Sequence, residues 1–287
     1  MTGSHEVRGS IPLGSTKHPR SAFPLLPFWG SNGLFMNNVA ESSIPSTLTT
    51  GGNRIIQGLW VGSELTILEQ LSITSFLVHG HDYHLYTYND VANVPSGAVI
   101  KDANEILPNS SIFQYKNRPS YAGFSNYFRY KLLWERGGWW ADTDMICLRP
   151  FDFAEEYVFS SEILGSQEVI TCCVIKARPG SAVMSYAWKV CQTKDPQRIV
   201  WGETGPQLTA QAVTKFSLNR HRKPYYVFCP IIDWHKLIEP YVAAIDGRAY
   251  AIHFWNEMWR LENCDKNAVY HPACIYEQLK ATYLLYD

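Results

Sequence analysis

The stretch GGWWADTDMICL at 137–148 constrains this chain more than any other. Two glycines stop a helical pattern that runs from about Gly123 to Arg136, two tryptophans follow, and two aspartates then stand one residue apart. A helix closed by Gly-Gly and turned directly into a strand ending in paired acids fits an α/β sheet, whose ligands gather at the carboxyl ends of strands. An earlier stretch predicts the same class. RIIQGLWVG (54–62) is a short apolar strand, and SELTILEQLSITSFLVHG places Leu65, Leu68, Leu71, Ser75 and Phe76 at helical spacing between an N-cap-like Ser63 and Gly80. HDYHLYTYND then alternates as a second strand. Strand, helix and strand at short spacing open a parallel sheet.

Further along, DANEILP reads as a polar connection, and EVITCCVIKAR (168–178) as a buried strand by its continuous apolar run. SAVMSYAWKVCQ and Leu208 to Lys215 read as helices, YYVFCP as a strand, and AYAIHFW as a strand running into a tail. Residues 1 to about 52 are rich in Ser, Gly, Pro, Thr and Asn without a sustained period, and read as a disordered or loosely packed leader. Within it, EVRGSIPLGST resembles the translated 3′ end of a transfer-RNA gene, which makes Met36 a candidate start. Residues 53–287 carry no internal repeat or linker and are expected to form one domain.

Asp142 and Asp144 share a face if the backbone is extended, about 7 Å apart by Cα. Carboxylates so placed converge on one hard cation; Mn²⁺ or Mg²⁺ fits, and such an ion also binds substrate phosphates. On the tripeptide alone, a polar turn between strands is the commoner reading. Composition narrows the partners. Lys plus Arg is 25 against Asp plus Glu 26, so no net field draws the chain to nucleic acid or an acidic membrane. Aromatic residues reach 14%, which suits flat or amphipathic ligands such as bases and sugars. No apolar run approaches a membrane span, and no secretory signal is evident, so a cytoplasmic and at most membrane-peripheral placement is expected. Seven cysteines without a CxxC pair fit reduced thiols, and HPAC (271–274) lacks the paired spacing of a zinc site. HGHDYH (79–84) has the wrong order for a metallo-hydrolase cluster and reads as residues flanking a strand.

The whole stretch FSNYFRYKLLWERGGWWADTDMICLRPF (124–151) resembles the glycosyltransferase sugar-binding region carrying a DXD motif, of the family 32 type. That family includes bacterial capsule and lipopolysaccharide transferases, α-1,4-galactosyltransferases and yeast initiating mannosyltransferases, with the glucosylating domain of clostridial toxins as a distant relative. Ser125, Arg129, Leu132, Leu133, Gly137, Gly138, Asp142 and Asp144 match its pattern in register. The resemblance implies a GT-A-type fold with a Rossmann-like, mostly parallel sheet. It implies a metal-dependent hexosyltransferase that moves a sugar from a nucleotide-sugar donor, UDP-sugar favoured and GDP-sugar second, to a saccharide or glycolipid acceptor in cell-surface polysaccharide synthesis. It also implies retention of anomeric configuration, and with no enzymic nucleophile evident, a front-face mechanism.

Site residues follow from the same resemblance. Asp142 and Asp144 would hold the metal, with His253 as a third ligand or a diphosphate contact. Ser125, Asn126, Arg129 and Thr143 would meet the donor, Asn126 standing where the family has Asp and so losing a charged acceptor. Trp60 would stack on the base, with backbone near Ile56 and Gln57 on its edge. Trp255 and Trp259, in a segment where Met258 replaces the family's Ser, would stack on the base or cover the sugar. Thr204, Gly205 and Pro206 would open an acceptor-side helix. Two rival readings stand beside this one: a haloacid-dehalogenase-type phosphatase that also uses Asp-x-Asp, and a non-catalytic nucleotide-sugar-binding relative, which Asn126 and Met258 keep alive.

Overall fold

The apolar run after Arg54 becomes a strand because both its edges find partners and both its faces are covered. The computed structural model describes residues 54–240 and 244–284, all within the compact unit Asn37–Asp287. The leader and the alternative start at Met36 lie outside the described residues. β1 (Ile55–Leu59) pairs in parallel with β2 (Asp82–Thr87) on one side and β4 (Gly138–Ala141) on the other. β3 (Val99–Asp102), which runs into the DANEILP connection, adds in parallel outside β2. Beyond β4 lie β7 (Gln167–Ala177) and β6 (Val158–Leu164), each antiparallel to its neighbour. The order is thus β3-β2-β1-β4-β7-β6, a mixed and mostly parallel sheet of the expected GT-A-like type. After β1 the chain winds through α1 (Ile67–Val78) toward β2 and β3, then returns through α2 (Ala122–Glu135) to β4 on the opposite side. The carboxyl ends of β1 and β4 therefore flank the switch point of the sheet, where open α/β sheets bind ligands.

The paired tryptophans anchor both faces. Successive strand residues point to opposite sides, so Trp139 packs with Ile56, Phe76, Tyr83 and Phe151, while Trp140 packs with Phe124, Phe128, Leu132 and Ile175. The helix-to-strand turn before them needs glycine. Gly137 has φ +65°, and a Cβ there would stand 2.4 Å from the Pro179 ring. α3 (Ala182–Gln192) and α4 (Leu208–Lys215) cover the α2 face as expected. A second, two-stranded sheet joins β5 (Met145–Cys147) to β8 (Ala251–His253), with Met145 opposite His253. Ser72 donates to the Met145 carbonyl at 2.7 Å, and Ser75 accepts from the Cys147 N–H at 2.8 Å, so α1 holds β5 in place.

Three readings need correction. The N-cap of α1 is Thr66, whose partner Glu69 completes a capping box, rather than Ser63. YYVFCP is not a strand but a short helix, α5 (Tyr225–Phe228). Arg222 does bridge to Phe159 of β6, but Pro224 has no N–H to continue that ladder and the chain coils instead. The tail after AYAIHFW holds two helices, α6 (Asn256–Leu261) and α7 (Ile275–Tyr283). The HGHDYH reading agrees with the geometry: His81 accepts from the Phe151 N–H at 2.9 Å and donates to the Arg54 carbonyl at 3.0 Å, a structural role. All seven cysteines are free thiols, and no helix among the described residues is long and apolar enough to cross a membrane.

Candidate active site

A cleft of about 940 Å³ opens at the switch point, and Asp142 and Asp144 stand on its floor. Gly58 makes room for this turn. A Cβ at Gly58 would meet the Tyr83 hydroxyl at 2.5 Å, the Ala141 carbonyl at 3.2 Å and Thr143 at 3.4 Å. Asp142 is fixed from α2. Arg129, three residues after Asn126 on the helix, donates from Nη2 to Asp142 Oδ1 at 2.8 Å, and Trp140 Nε1 donates to the same oxygen at 2.8 Å. The remaining guanidinium donors reach Ser125 and the Cys172 carbonyl. The guanidinium also lies over the Trp140 ring, 4.8 Å from its centre. Burial opposes its charge, but Asp142 together with the neighbouring Cys172, Tyr130 and Cys173 lifts Arg129 above its ordinary value. All three of its nitrogens are thus engaged inside the protein. Arg129 borders the cleft, and its guanidinium anchors Asp142.

Asp144 is buried and faces the second sheet. Its Oδ2 accepts from the Asn256 N–H at 2.6 Å and lies 3.6 Å from His253 Nε2. Burial alone would raise its pKa; His253 and the Asn256 N–H hold it below the ordinary carboxylate value. Burial likewise opposes a charge on His253, and Asp144 with help from Cys173 and Glu162 overrides it, lifting His253 to about 10. Ligation by His253 would therefore displace a proton. Donor atoms of Asp142, Asp144 and His253 all lie within 4.8 Å of one another. Asp144 Oδ1, His253 Nδ1 and the Tyr83 hydroxyl are buried without a hydrogen-bond partner among the described residues. Buried polar atoms are rarely left so unless a ligand or water completes them. The donor set, two carboxylates and an imidazole, suits a divalent cation.

The other expected residues divide into those that reach the cleft and those that stand behind it. Trp60, Ser125, Asn126, Thr143, Pro206, Trp255 and Trp259 line it. Trp60 is held by a bond from Nε1 to the Glu64 carbonyl at 2.9 Å, and Trp255 by one to Glu162 at 3.3 Å. Asn126 faces Thr204, to which its amide donates at 3.4 Å. A Cβ on Gly205 would sit 3.0 Å from that amide. Thr204 and Gly205 are buried behind Asn126, and their carbonyls accept from Tyr130, so this pair backs the cleft wall at Asn126. Ile56 and Gln57 are interior to the sheet. Their backbones pair with Tyr83, His84, Trp139 and Trp140, and the Gln57 amide donates to Gly137 and Trp139 carbonyls. The cleft wall begins two residues later, at Leu59. Trp259 is fully buried among Trp234, Tyr270 and Tyr276, with its indole N–H on the Phe254 carbonyl. It borders the cleft as a tightly packed part of the wall.

Two cleft residues had no sequence signal. Glu162 projects from β6, a strand not anticipated, to within 3.9 Å of His253 Nδ1. Lys266 pairs with the buried Glu69 of α1, donates to Asn256 at 2.9 Å, and lies 5.6 Å from the Trp60 ring centre.

Residues 67–168 match the family described as glycosyltransferase sugar-binding region containing DXD motif. The chain carries a glycosyltransferase sugar-binding region of the DXD type. That region contains α1, α2 and the Asp142–Asp144 turn, and ends on β7. No curated protein matches the chain. Among solved structures, PaToxG glycosyltransferase is similar at 16% identity and a TM-score of 0.45, over 57% of this chain and 69% of that one. The apo form of the glycosyltransferase GlyE from Streptococcus pneumoniae TIGR4 is similar at 10% identity and 0.36, over 80% of this chain and 64% of that one.

Proposed function

We propose that residues 53–287 form one catalytic domain, a metal-dependent glycosyltransferase that moves a sugar from a nucleotide-sugar donor to a saccharide or glycolipid acceptor. The observation that carries this reading is the convergence of Asp142, Asp144 and His253, with Asp144 Oδ1 and His253 Nδ1 buried and unsatisfied, in an aromatic-walled cleft. UDP-sugars are the favoured donors and GDP-sugars the second choice. When bound there, Mn²⁺ or Mg²⁺ would supply Lewis-acid neutralisation of the departing diphosphate. Asp142, fixed by Arg129 and Trp140, and Asp144, fixed by Asn256, hold their carboxylates ready, so little reorganisation accompanies ligand binding. Trp60 and Trp255 flank the donor and exclude water, which limits hydrolysis. Asn126 and Ser125 orient the sugar from α2. Transfer proceeds with retention, by a front-face route in which the leaving diphosphate accepts the acceptor's proton.

Asn126 also favours a second reading, a nucleotide-sugar-binding relative without turnover, because its amide already donates to Thr204 where a carboxylate would be free to accept. One assay separates the readings: donor turnover with a panel of UDP- and GDP-sugars, with and without Mn²⁺, in the native chain and in Asp144→Asn. The expected result is metal-dependent nucleotide release that falls about a thousandfold in the variant, the equivalent of roughly 4 kcal/mol. Turnover that survives chelation or the substitution would falsify the metal assignment. Tight donor binding without turnover would favour the binding relative. Phosphate release from a phosphomonoester would favour the phosphatase.

A further inference from the structure

The mechanism leaves a buried thiol pair unused directly beneath its candidate metal ligands. Cys173 comes from β7, Cys229 follows the last turn of α5, and His253 ends β8, so three separate elements bring these side chains together. Their ligating atoms lie within 4.8 Å of one another. The two sulfurs are 3.7 Å apart, far beyond the roughly 2.05 Å of a disulfide. Two sulfurs on a tetrahedral ion, each at about 2.3 Å, stand roughly 3.8 Å apart. The pair is therefore already spaced for a shared metal without backbone movement. Both cysteines are 1% exposed, yet Cys173 and His253 line the cleft, which provides the entry path.

We propose that Cys173, Cys229 and His253 form a thiophilic-metal site, filled by Zn²⁺ or a similar soft ion, that competes with the carboxylate site for His253. Ligand chemistry separates the two sites. Two thiolates and an imidazole select Zn²⁺ or Cd²⁺ over Mn²⁺ and Mg²⁺, whereas Asp142 and Asp144 select the hard ions. His253 is the donor common to both. Its Nε2 faces Asp144 at 3.6 Å, while its buried Nδ1 has no hydrogen-bond partner. A soft ion bound by the thiols, with both thiol protons released to solvent, draws the imidazole away from the carboxylates. Occupancy of the thiol site then weakens hard-ion binding across the shared ring.

The thiol site itself does not depend on the transferase reading, and its test does not use turnover. The reduced full chain is titrated with Cd²⁺ and Co²⁺ and followed by the thiolate-to-metal charge-transfer band in the ultraviolet. The expected result is a band that saturates at one equivalent, persists in Asp142→Asn, and is lost in Cys229→Ser. Cd²⁺ affinity in that variant should fall about a hundredfold or more, since a direct ligand outweighs the 10- to 100-fold effect of an outer partner. Because a cysteine variant can fail to fold, a second measurement uses the native chain: X-ray absorption of the Zn²⁺-loaded protein should show two sulfur neighbours. A spectrum with only oxygen and nitrogen neighbours overturns the proposal, as does a band that survives Cys229→Ser. Competition is read separately, from Mn²⁺ displaced into solution by Zn²⁺, detected by its paramagnetic resonance signal. Mn²⁺ that stays bound at saturating Zn²⁺ overturns the shared-histidine part.

Discussion

The two walls of the cleft are built differently. The wall from β1, α2 and β4 is bonded throughout: Arg129 engages all its nitrogens, Trp140 donates to Asp142, and Gln57 ties the Gly137 and Trp139 carbonyls. The opposite wall, residues 253–266, is held by scattered fastenings. Asn256 reaches Asp144, Lys266 reaches Glu69, and Glu257 reaches Arg118 across the mouth at 3.3 Å. Asp142 and Asp144 sit in the turn between β4 and β5, with Asp142 fixed from the regular elements α2 and β4. The 253–266 wall, by contrast, is tied across the cleft partly by half-buried ion pairs. The difference predicts that substitutions in the first wall damage the chemical step, while those in the second damage attachment and binding.

Arg129→Lys is the strongest test of the first wall. Lysine keeps the charge but not the planar fork that bonds Asp142 while lying over Trp140. The expected loss is about a hundredfold in kcat, close to 2.7 kcal/mol, with a smaller change in donor KM. A variant whose kcat is native and whose KM alone rises would place Arg129 in ligand binding and undo the contrast between the walls.

Lys266→Met probes the second. Glu69 is fully buried, and removing Lys266 leaves its charge with only neutral hydrogen bonds from Thr66 and Asn256, which costs about 3 kcal/mol in global stability. Urea unfolding measures it directly. Pairing the change with Glu69→Gln should recover most of the loss, because no buried charge then remains. A single variant less than about 1 kcal/mol below native would show that this wall does not hang on the Lys266–Glu69 pair.

The same division marks what could be read from sequence. α2, the Gly137-Gly138 turn and β4 lie in one continuous stretch, and helical period, positive-φ glycines and strand pattern are all local signals. The parallel opening of the sheet was legible for the same reason. β6, and with it Glu162, was not, because a strand's existence there depends on pairing with β7. Tyr225–Phe228 has strand-like composition and coils because of Pro224 and its place beside β6. The packing of Trp259 against Tyr270 and Tyr276 was not legible either, since only α7 and its flanking loop bring those rings to it. The thiol pair was invisible: 56 positions separate Cys173 from Cys229, and no spacing rule links them.

The smallest expected effect concerns the fastening between the walls. Arg118 lies over the Trp201 ring at 4.3 Å and binds Glu257 of α6, with about a third of its side chain exposed. Such a pair contributes about 1 kcal/mol or less to stability, so Arg118→Ala should leave the unfolding midpoint nearly unchanged. Its influence should appear in binding. Without the bridge, α6 is no longer tied to the loop before α2, and the donor must order that wall itself. Donor KM is expected to rise about fivefold, equivalent to roughly 1 kcal/mol, and to rise more than kcat falls. Salt gives the control. Part-exposed ion pairs weaken as ionic strength grows, so the native KM should climb with added salt toward that of the variant, which should itself respond less. Parallel salt curves for the two proteins would mean that Arg118 and Glu257 meet without holding the walls together.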